Sequence, residues 1–210
     1  MASFEDLSKQ VIAGNQIKVK EVTQALVDGG SAPLDIINLG LIAGMNIVGA
    51  RFKNGEMFVP EVLMAAKAMS MGIEIVKPLI AEKDMPSIGK VLLGTVKGDL
   101  HDIGKNLVGM MLESGGFTVI NMGIDISPEQ FVKAVKEHKP NIVAMSALLT
   151  TTMLHMKDTI ELIKEEGLKD MVKVIIGGAP ISQDFADEIG ADGFAPDAAS
   201  AVDLCKKLLS

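Results

Sequence analysis

The chain has 210 residues, of which 48% are hydrophobic and 22% charged, a composition typical of a globular protein with one large domain or two small ones. The only cysteine, Cys205, excludes an internal disulfide and any metal site built from several cysteines. The net charge of −7, the single Arg and the absence of Trp and Tyr argue against nucleic acid as a partner.

Apolar residues at helical spacing predict four helices in the first 80 residues. The first is capped by Ser3, and its early charges argue against a signal peptide. The second runs from about Asn15 to Val27, the third starts at Pro33, and the fourth begins near Pro60. The third helix carries one apolar stripe, formed by Ile37, Leu41, Met45, Val48 and Phe52. The short connections predict a four-helix bundle.

The longest uncharged run in this half, Ile36 to Ala50, contains Asn38 and Asn46. It is shorter than the roughly 20 apolar residues that span a bilayer. We therefore expect a cytoplasmic protein without a membrane partner.

The hydrophobic period changes after a polar segment that contains Pro86, from Ala81 to Gly89. This composition predicts a linker between a helical domain, residues 1–85, and an α/β domain, residues 86–210. The predicted strands are Val91–Val96, Thr118–Asn121, Ile142–Ser146, Val172–Ile176 and Gly193–Phe194. The predicted helices between and after them are Ile103–Ser114, Pro128–His138, Thr152–Glu166, Ile181–Ile189 and Ala198–Leu209. This alternation predicts a flavodoxin-like (Rossmann-like) doubly wound sheet of five parallel strands, which binds ligands beyond the carboxyl ends of its strands.

The first predicted strand is followed by the segment KGDLHDIGKN, Lys97 to Asn106. It is not a phosphate-binding P-loop, because Asp99 replaces the first Gly of that motif and Asn106 replaces its Ser or Thr. The dinucleotide fingerprint G-x-G-x-x-G is absent. A receiver domain would carry an Asp at the end of the third strand, where this sequence has Met145-Ser146-Ala147.

One histidine, His101, lies in this segment, whereas His138 and His155 fall within predicted helices. A hydrolase built on bare metal ions would need more histidines near His101. Asp99, two residues earlier, can hold one imidazole nitrogen and leave the other as a ligand. One protein ligand is too few for zinc but suffices for a metal already held by a macrocycle. The alternative is an Asp that caps the next helix beside a solvated His.

Two further motifs fall at later strand ends, Ser146-x-Leu148 and Gly177-Gly178. Small residues at these ends open a slot in which a ligand can touch the backbone. Together with Asp99-x-His101-x-x-Gly104, this pattern resembles the cobalamin-binding domain. The whole chain resembles the small corrinoid proteins of methylamine, methanol or betaine methyltransferase systems, and the cobalamin-binding module of cobalamin-dependent methionine synthase.

The resemblance implies specific roles for residues of the α/β domain. His101 would be the lower ligand of cobalt, Asp99 would accept its other N–H, and Thr152 would complete the relay with a hydroxyl where the methionine synthase module has Ser. The corrin-facing loop would be shaped by Gly98, Asp102 and Gly104. The slot for the nucleotide tail would be formed by Ser146, Leu148, Thr150, Gly177, Gly178 and Ala179.

The resemblance also implies that the helical domain is a cap over the upper face of the corrin. Phe52 and Val59 would provide the apolar cover, with Met57 and Phe58 beside them. The alternative for these side chains is ordinary bundle core. The cap would have to move for methyl transfer, with the linker as hinge.

The function that the resemblance implies is that of a methyl carrier rather than a stand-alone enzyme. The cobalt of cobalamin or a related corrinoid would accept a methyl group through a substrate-specific methyltransferase. A second methyltransferase would pass it to a folate or thiol, and a reductive reactivase would be a further partner. The alternatives are a B12-dependent mutase subunit, against which the helical cap argues, and a B12-sensing or storage protein.

Overall fold

The computed structural model describes residues 2–80 and 87–210, so most of the predicted linker, residues 81–86, lies outside the described residues. The chain forms two compact units. One consists of Met1–Ser87 with Ser114–Gly116, and the other of Ile88–Glu113 with Phe117–Ser210.

The first unit is helical, as predicted. Its elements are α1 (Phe4–Ile12), α2 (Gln16–Asp28), α3 (Pro33–Asp35), a π-helical stretch (Ile36–Ile42), α4 (Ala43–Lys53), α5 (Val59–Val76) and a 3₁₀ turn (Lys77–Leu79). The side chains of Ser3 and Asn15 cap α1 and α2, accepting from the N–H groups of Asp6 and Lys18. Helix α5 ends at Val76 because Pro78 has no N–H to continue it.

The run from Pro33 to Lys53 is long and apolar enough to cross a membrane, with 21 residues and a mean hydropathy of 1.4. Length and composition alone are weak evidence for a span, because the core helix of a bundle meets the same criteria. Here the run supplies buried side chains to the bundle, among them Ile36, Ile37, Leu41, Met45 and Val48.

The second unit is a doubly wound sheet of five parallel strands in the order β2-β1-β3-β4-β5, which confirms the predicted fold class. Its strands are β1 (Lys90–Val96), β2 (Thr118–Ile126), β3 (Ile142–Ser146), β4 (Lys173–Gly177) and β5 (Gly193–Phe194). Its helices are α6 (Ile103–Ser114), α7 (Pro128–His138), α8 (Leu154–Glu165), α9 (Gln183–Ile189) and α10 (Ala198–Leu208). The central strands are buried, with Leu92, Val143, Val174 and Ile176 among the core residues.

Strand β2 extends beyond its predicted end at Asn121. Its register against β1 shifts on both sides of Gly94, and pairing resumes where Val96 meets Ile126. Gly123 and Asp125 have positive φ values in this irregular stretch. An irregular strand lacks the alternation of apolar residues that sequence reasoning uses, and the prediction therefore stopped too early.

From β1 the chain first continues to β2 on one side and then crosses to β3 on the other side. The topological switch point therefore lies between β1 and β3. In such sheets ligands bind beyond the carboxyl ends of the strands at this point. The segments that follow β1 and β3, residues 97–102 and 147–153, therefore form the candidate site.

Candidate functional site at the carboxyl edge of the sheet

The carboxylate of Asp99 is fully buried and is the centre of the site. Its Oδ1 accepts from the His101 Nδ1 at 2.7 Å and from the His101 backbone N–H at 3.1 Å. Its Oδ2 accepts from the Thr152 hydroxyl at 2.7 Å and from the Leu148 backbone N–H at 2.8 Å. Four donors thus surround one carboxylate, which joins the loop after β1 to the loop after β3.

These hydrogen bonds decide the charge of Asp99. Burial by itself would raise the pKa of this carboxyl group. The hydrogen bonds from Leu148, Thr152 and His101 outweigh burial and hold the pKa well below its usual value. At neutral pH the group is therefore a carboxylate that only accepts hydrogen bonds.

The state of Asp99 fixes the orientation of the His101 imidazole. Because Asp99 can only accept, the Nδ1 of His101 carries the hydrogen between them. In the neutral ring, the lone pair is then on Nε2. The side chain of His101 is 52% exposed, so a buried anchor holds an imidazole that reaches solvent.

Further contacts hold the loop that carries His101. The Thr95 hydroxyl donates to the His101 carbonyl at 3.0 Å. Asp125, on β2, accepts from the Gly98 N–H at 2.7 Å through Oδ1. Sequence analysis missed both contacts, although Thr95 stands out as a buried polar residue in an otherwise apolar strand.

Close backbone packing joins the ends of β3 and β4. Ser146 pairs with Gly177, and the Ala147 N–H donates to the Gly177 carbonyl at 3.2 Å. Gly178 has φ +131°, and a Cβ at this position would lie 1.8 Å from the Ala147 oxygen. Only glycine fits here, as the Gly177-Gly178 motif indicated.

Most of the other predicted slot residues are open to solvent. Leu148, Thr150 and Ala179 are exposed, and Ser146 is half-buried. A Cβ at Gly104 would meet no heavy atom within 4 Å. Ser146 is the last residue of β3, and Leu148, Thr150 and Ala179 follow the ends of β3 and β4. Gly104, predicted for the corrin-facing loop, lies in the first turn of α6. The binding roles of these residues stay predictions.

Large apolar side chains are exposed in the same two segments and at the start of α6. Leu100 is 68% and Ile103 85% exposed, and Leu148 and Leu149 are exposed as well. Exposed apolar groups that flank a polar centre mark a ligand-binding surface. The imidazole of His101 therefore belongs to a surface suited to a broad apolar ligand.

A second polar network lies at the start of α6. Asp102 accepts from the Asn106 side chain at 2.9 Å, and the buried Lys105 donates to the side-chain oxygens of Asn106 and Asn121. Burial lowers the pKa of Lys105, with Asp102 acting in the opposite direction. The sequence motif contained Lys105, but its partner on β2 was not foreseen.

No cluster of three or more His, Cys, Asp or Glu side chains that could hold a bare metal ion occurs within residues 2–80 and 87–210. His155 pairs through Nδ1 with one carboxylate, that of Asp158, at 3.0 Å. The site thus offers a metal a single oriented imidazole, which fits only a metal that brings its other ligands along.

The predicted cover residues lie where α4 ends and α5 begins in the helical unit. Phe52 is half-buried, Val59 is 39% exposed and Phe58 is 67% exposed. Met57 is buried at 7% exposure and therefore belongs to the bundle core, the alternative expectation for this group. The role of Phe52 and Val59 stays a prediction.

Comparison with known proteins identifies both units. Two family models described as B12 binding domain match residues 3–77 and 89–203. The chain is 46% identical over its full length to a corrinoid protein of Desulfitobacterium hafniense strain Y51, covering 98% of that relative. It is 47% identical to dimethylamine corrinoid protein 1 of Methanosarcina acetivorans, covering 99% of this chain and 100% of that relative.

A solved structure gives the same result for the fold. The crystal structure of the methanol:cobalamin methyltransferase complex MtaBC from Methanosarcina barkeri matches with a TM-score of 0.88 and 32% identity. The match covers 98% of this chain and 79% of that chain. The likeness thus includes the helical unit as well as the sheet.

Proposed function

The chain belongs to the B12-binding family that includes the methylamine corrinoid proteins, and we propose that it is a corrinoid methyl carrier in a methyltransferase system. The observation that carries this proposal is the pairing of the buried Asp99 carboxylate with the exposed His101 imidazole. It leaves Nε2 of His101 as a ligand at the sheet edge where doubly wound domains bind cofactors.

The residues present fit a corrinoid. His101 would coordinate the cobalt through Nε2, and the exposed Leu100 and Ile103 would contact the apolar face of the macrocycle. When bound, the corrinoid supplies a cobalt centre that accepts a methyl group from a donor and yields it to an acceptor. The chain itself would bind, orient and shield this group.

Asp99 and Thr152 would tune the ligand. The hydrogen bond from Nδ1 to Asp99 fixes the ring and makes Nε2 a better electron donor. The Thr152 hydroxyl holds the other oxygen of Asp99 and so completes the relay.

We propose the remaining roles on the same basis. Gly98, Asp102 and Gly104 would shape the loop beneath the corrin. The nucleotide tail would enter a slot lined by Ser146, Leu148, Thr150, Gly177, Gly178 and Ala179. The close approach of Gly178 to the Ala147 carbonyl explains why glycine is required there. What supports the slot is the family resemblance, together with the pairing of Ser146 and Gly177 at one edge of the sheet.

Phe52 and Val59 would form the apolar cover of the upper face of the corrin. The exposure of Val59 supports an available apolar surface at the start of α5. This cover would have to move, since the methyl group must be reached by partner enzymes. Two domains, residues 1–85 and 86–210, are therefore proposed as cap and cofactor carrier.

The proposed partners are a substrate-specific methyltransferase, a second methyltransferase that transfers the methyl group to a folate or thiol, and a reductive reactivase. The relatives named for dimethylamine and trimethylamine are 47% and 42% identical, against 32% for the methanol complex. These identities favour a methylated amine as the donor.

We place the protein in the cytoplasm, where these partners would act.

Transfer of an isotopic label tests the proposal. Reconstituted protein is reduced to the cobalt(I) state with titanium(III) citrate under anaerobic conditions and incubated with ¹⁴C-dimethylamine and a dimethylamine methyltransferase. It is then desalted and mixed with a thiol acceptor and a thiol methyltransferase. We expect label to stay with the protein after the first step and to leave it in the second. Stoichiometric corrinoid binding without label transfer under any methylamine or methanol pairing would instead favour a sensing or storage protein.

A further inference from the structure

Asp125 has an unusual backbone conformation close to the site. Its φ is +55°, and within the described residues Lys139, at +47°, is the only other residue besides glycine with a positive φ. Residues with a Cβ disfavour this left-handed region, although Asn and Asp tolerate it best. Such a conformation persists only where the surrounding contacts enforce it.

Asp125 forms hydrogen bonds with Gly98 and Asp99, the two residues just before Leu100. Its Oδ1 accepts from the Gly98 N–H at 2.7 Å, and its own N–H donates to the Asp99 carbonyl at 3.1 Å. One residue of β2 therefore holds the dipeptide Gly98-Asp99 from both ends. Gly98 itself has φ +78°, so the turn it forms also needs support.

These two bonds act on the geometry of the metal ligand through Asp99. The side chain of Asp99 is held by Leu148 and Thr152 from one side, and its backbone is held by Asp125 from the other. His101 is tied to Asp99 by two hydrogen bonds. A displacement of the Gly98-Asp99 turn would therefore move the imidazole relative to the rest of the site.

We propose that Asp125 is a positioning residue for the proposed cobalt ligand: its carboxylate holds the Gly98 N–H, its backbone N–H holds the Asp99 carbonyl, and the two bonds together set the position of His101. This inference rests on the proposed function, because it assigns Asp125 a role toward the cobalt ligand. Asp125 acts through the loop and does not itself coordinate the metal.

Three variants separate the carboxylate from the backbone. Asp125→Asn keeps an Oδ1 acceptor and tolerates the left-handed conformation. Asp125→Gly relieves the conformation but removes the acceptor, and Asp125→Ala removes the acceptor while keeping the Cβ. Lys139→Ala, at the carboxyl end of α7, is the matched control for a left-handed alanine away from the loop.

The first measurement uses the cofactor-free protein. Hydrogen exchange at the Gly98 amide is followed by NMR in each variant. We expect Asp125→Asn and Lys139→Ala to retain wild-type protection, whereas Asp125→Ala and Asp125→Gly exchange faster by about tenfold or more. Unchanged exchange in both of the latter variants would overturn the clamp.

The second measurement uses the reconstituted protein in the cobalt(II) state. Electron paramagnetic resonance gives the fraction of cobalt that has one axial nitrogen. We expect this fraction to fall in Asp125→Ala and Asp125→Gly, to be retained in Asp125→Asn, and the midpoint potential for reduction to cobalt(I) to rise as axial ligation weakens. Full nitrogen ligation in Asp125→Gly would overturn the positioning role.

The two measurements separate this inference from the proposed function. Wild-type protein that binds no corrinoid would refute the proposed function and with it the positioning role, whatever the Gly98 exchange. Wild-type protein that binds corrinoid through His101, with no effect of losing the Asp125 carboxylate, would refute only the positioning role.

Discussion

The Oδ1 atom of Asp99 lies 2.7 Å from the Nδ1 atom of His101, and the two side chains differ sharply in exposure. The carboxylate has no exposed surface, whereas the imidazole is 52% exposed. The buried partner can therefore fix the ring without being accessible itself. A buried carboxylate beside an exposed imidazole suits a metal ligand whose ring is held rigidly by the protein while its other nitrogen stays accessible to a cofactor.

Asp99→Asn tests the charge at the centre of the site. The amide keeps one acceptor oxygen but points an NH₂ group at donors, so some of the four hydrogen bonds must be lost. We expect the free energy of unfolding at pH 7 to fall by about 1–3 kcal/mol, as measured by urea denaturation. Asp170→Asn, at an exposed position, is the control and should be near wild type.

The effect of Asp99 on stability should depend on pH. The pKa of Asp99 is lower in the folded protein than in the unfolded chain, where it is about 4. Its contribution is therefore complete above that pH and is lost as the pH falls below it. The stability difference between wild type and Asp99→Asn should shrink on acidification below about pH 4. A difference that stays constant or grows there would contradict the assignment.

Thr152 provides a test of the hydroxyl alone. Its Oγ1 lies 2.7 Å from Asp99 Oδ2 and 3.0 Å from the Leu149 carbonyl, and the residue is buried. Thr152→Val keeps the shape but leaves Asp99 with one donor fewer, so we expect a loss of about 1–3 kcal/mol in urea denaturation and a higher pKa of Asp99.

Thr152→Ser is the matched variant, since it retains the hydroxyl and removes only a methyl group. We expect it to stay closer to wild type than Thr152→Val in both stability and Asp99 pKa. If Thr152→Ser were destabilised while Thr152→Val stayed near wild type, packing of the methyl group would explain the position, and the relay would be wrong.

Gly178→Ala tests the close contact between the ends of β3 and β4. The new Cβ would overlap the Ala147 carbonyl, so the strand ends must separate. We expect a loss of several kcal/mol in urea denaturation, and weaker retention of corrinoid on desalting. Gly167→Ala is the control, because its φ of +69° is also left-handed but its Cβ would meet no atom within 4 Å. That control should lose about 1–2 kcal/mol, and an equal loss in both variants would contradict the steric account.

The sequence predicted the elements well where the hydrophobic period and the residues that begin or end helices and strands agreed. Strand β3 and helices α6 and α7 have their predicted bounds. The π-helical stretch was missed because its apolar residues also fit an α-helical stripe. The end of β2 was missed because irregular register leaves no simple period.

The site was predictable to the extent that its residues are close in sequence. Asp99 and His101 lie two positions apart, so their pairing follows from local geometry. Thr152 lies 53 residues from Asp99 and was indicated only by the family resemblance. Asp125 lies 27 residues from Gly98, and their contact depends on the register between two strands. Such contacts require the folded sheet, not the sequence pattern.

The most direct test of cobalt ligation is the ultraviolet–visible spectrum after reconstitution with hydroxocobalamin and desalting. Wild type is compared with His101→Ala, and with His155→Ala as a control histidine on α8. We predict stoichiometric cofactor with a histidine lower ligand in wild type and in His155→Ala, and loss of that ligand in His101→Ala. An unchanged spectrum in His101→Ala would refute the ligand assignment, and a colourless wild type would remove cobalt from the account.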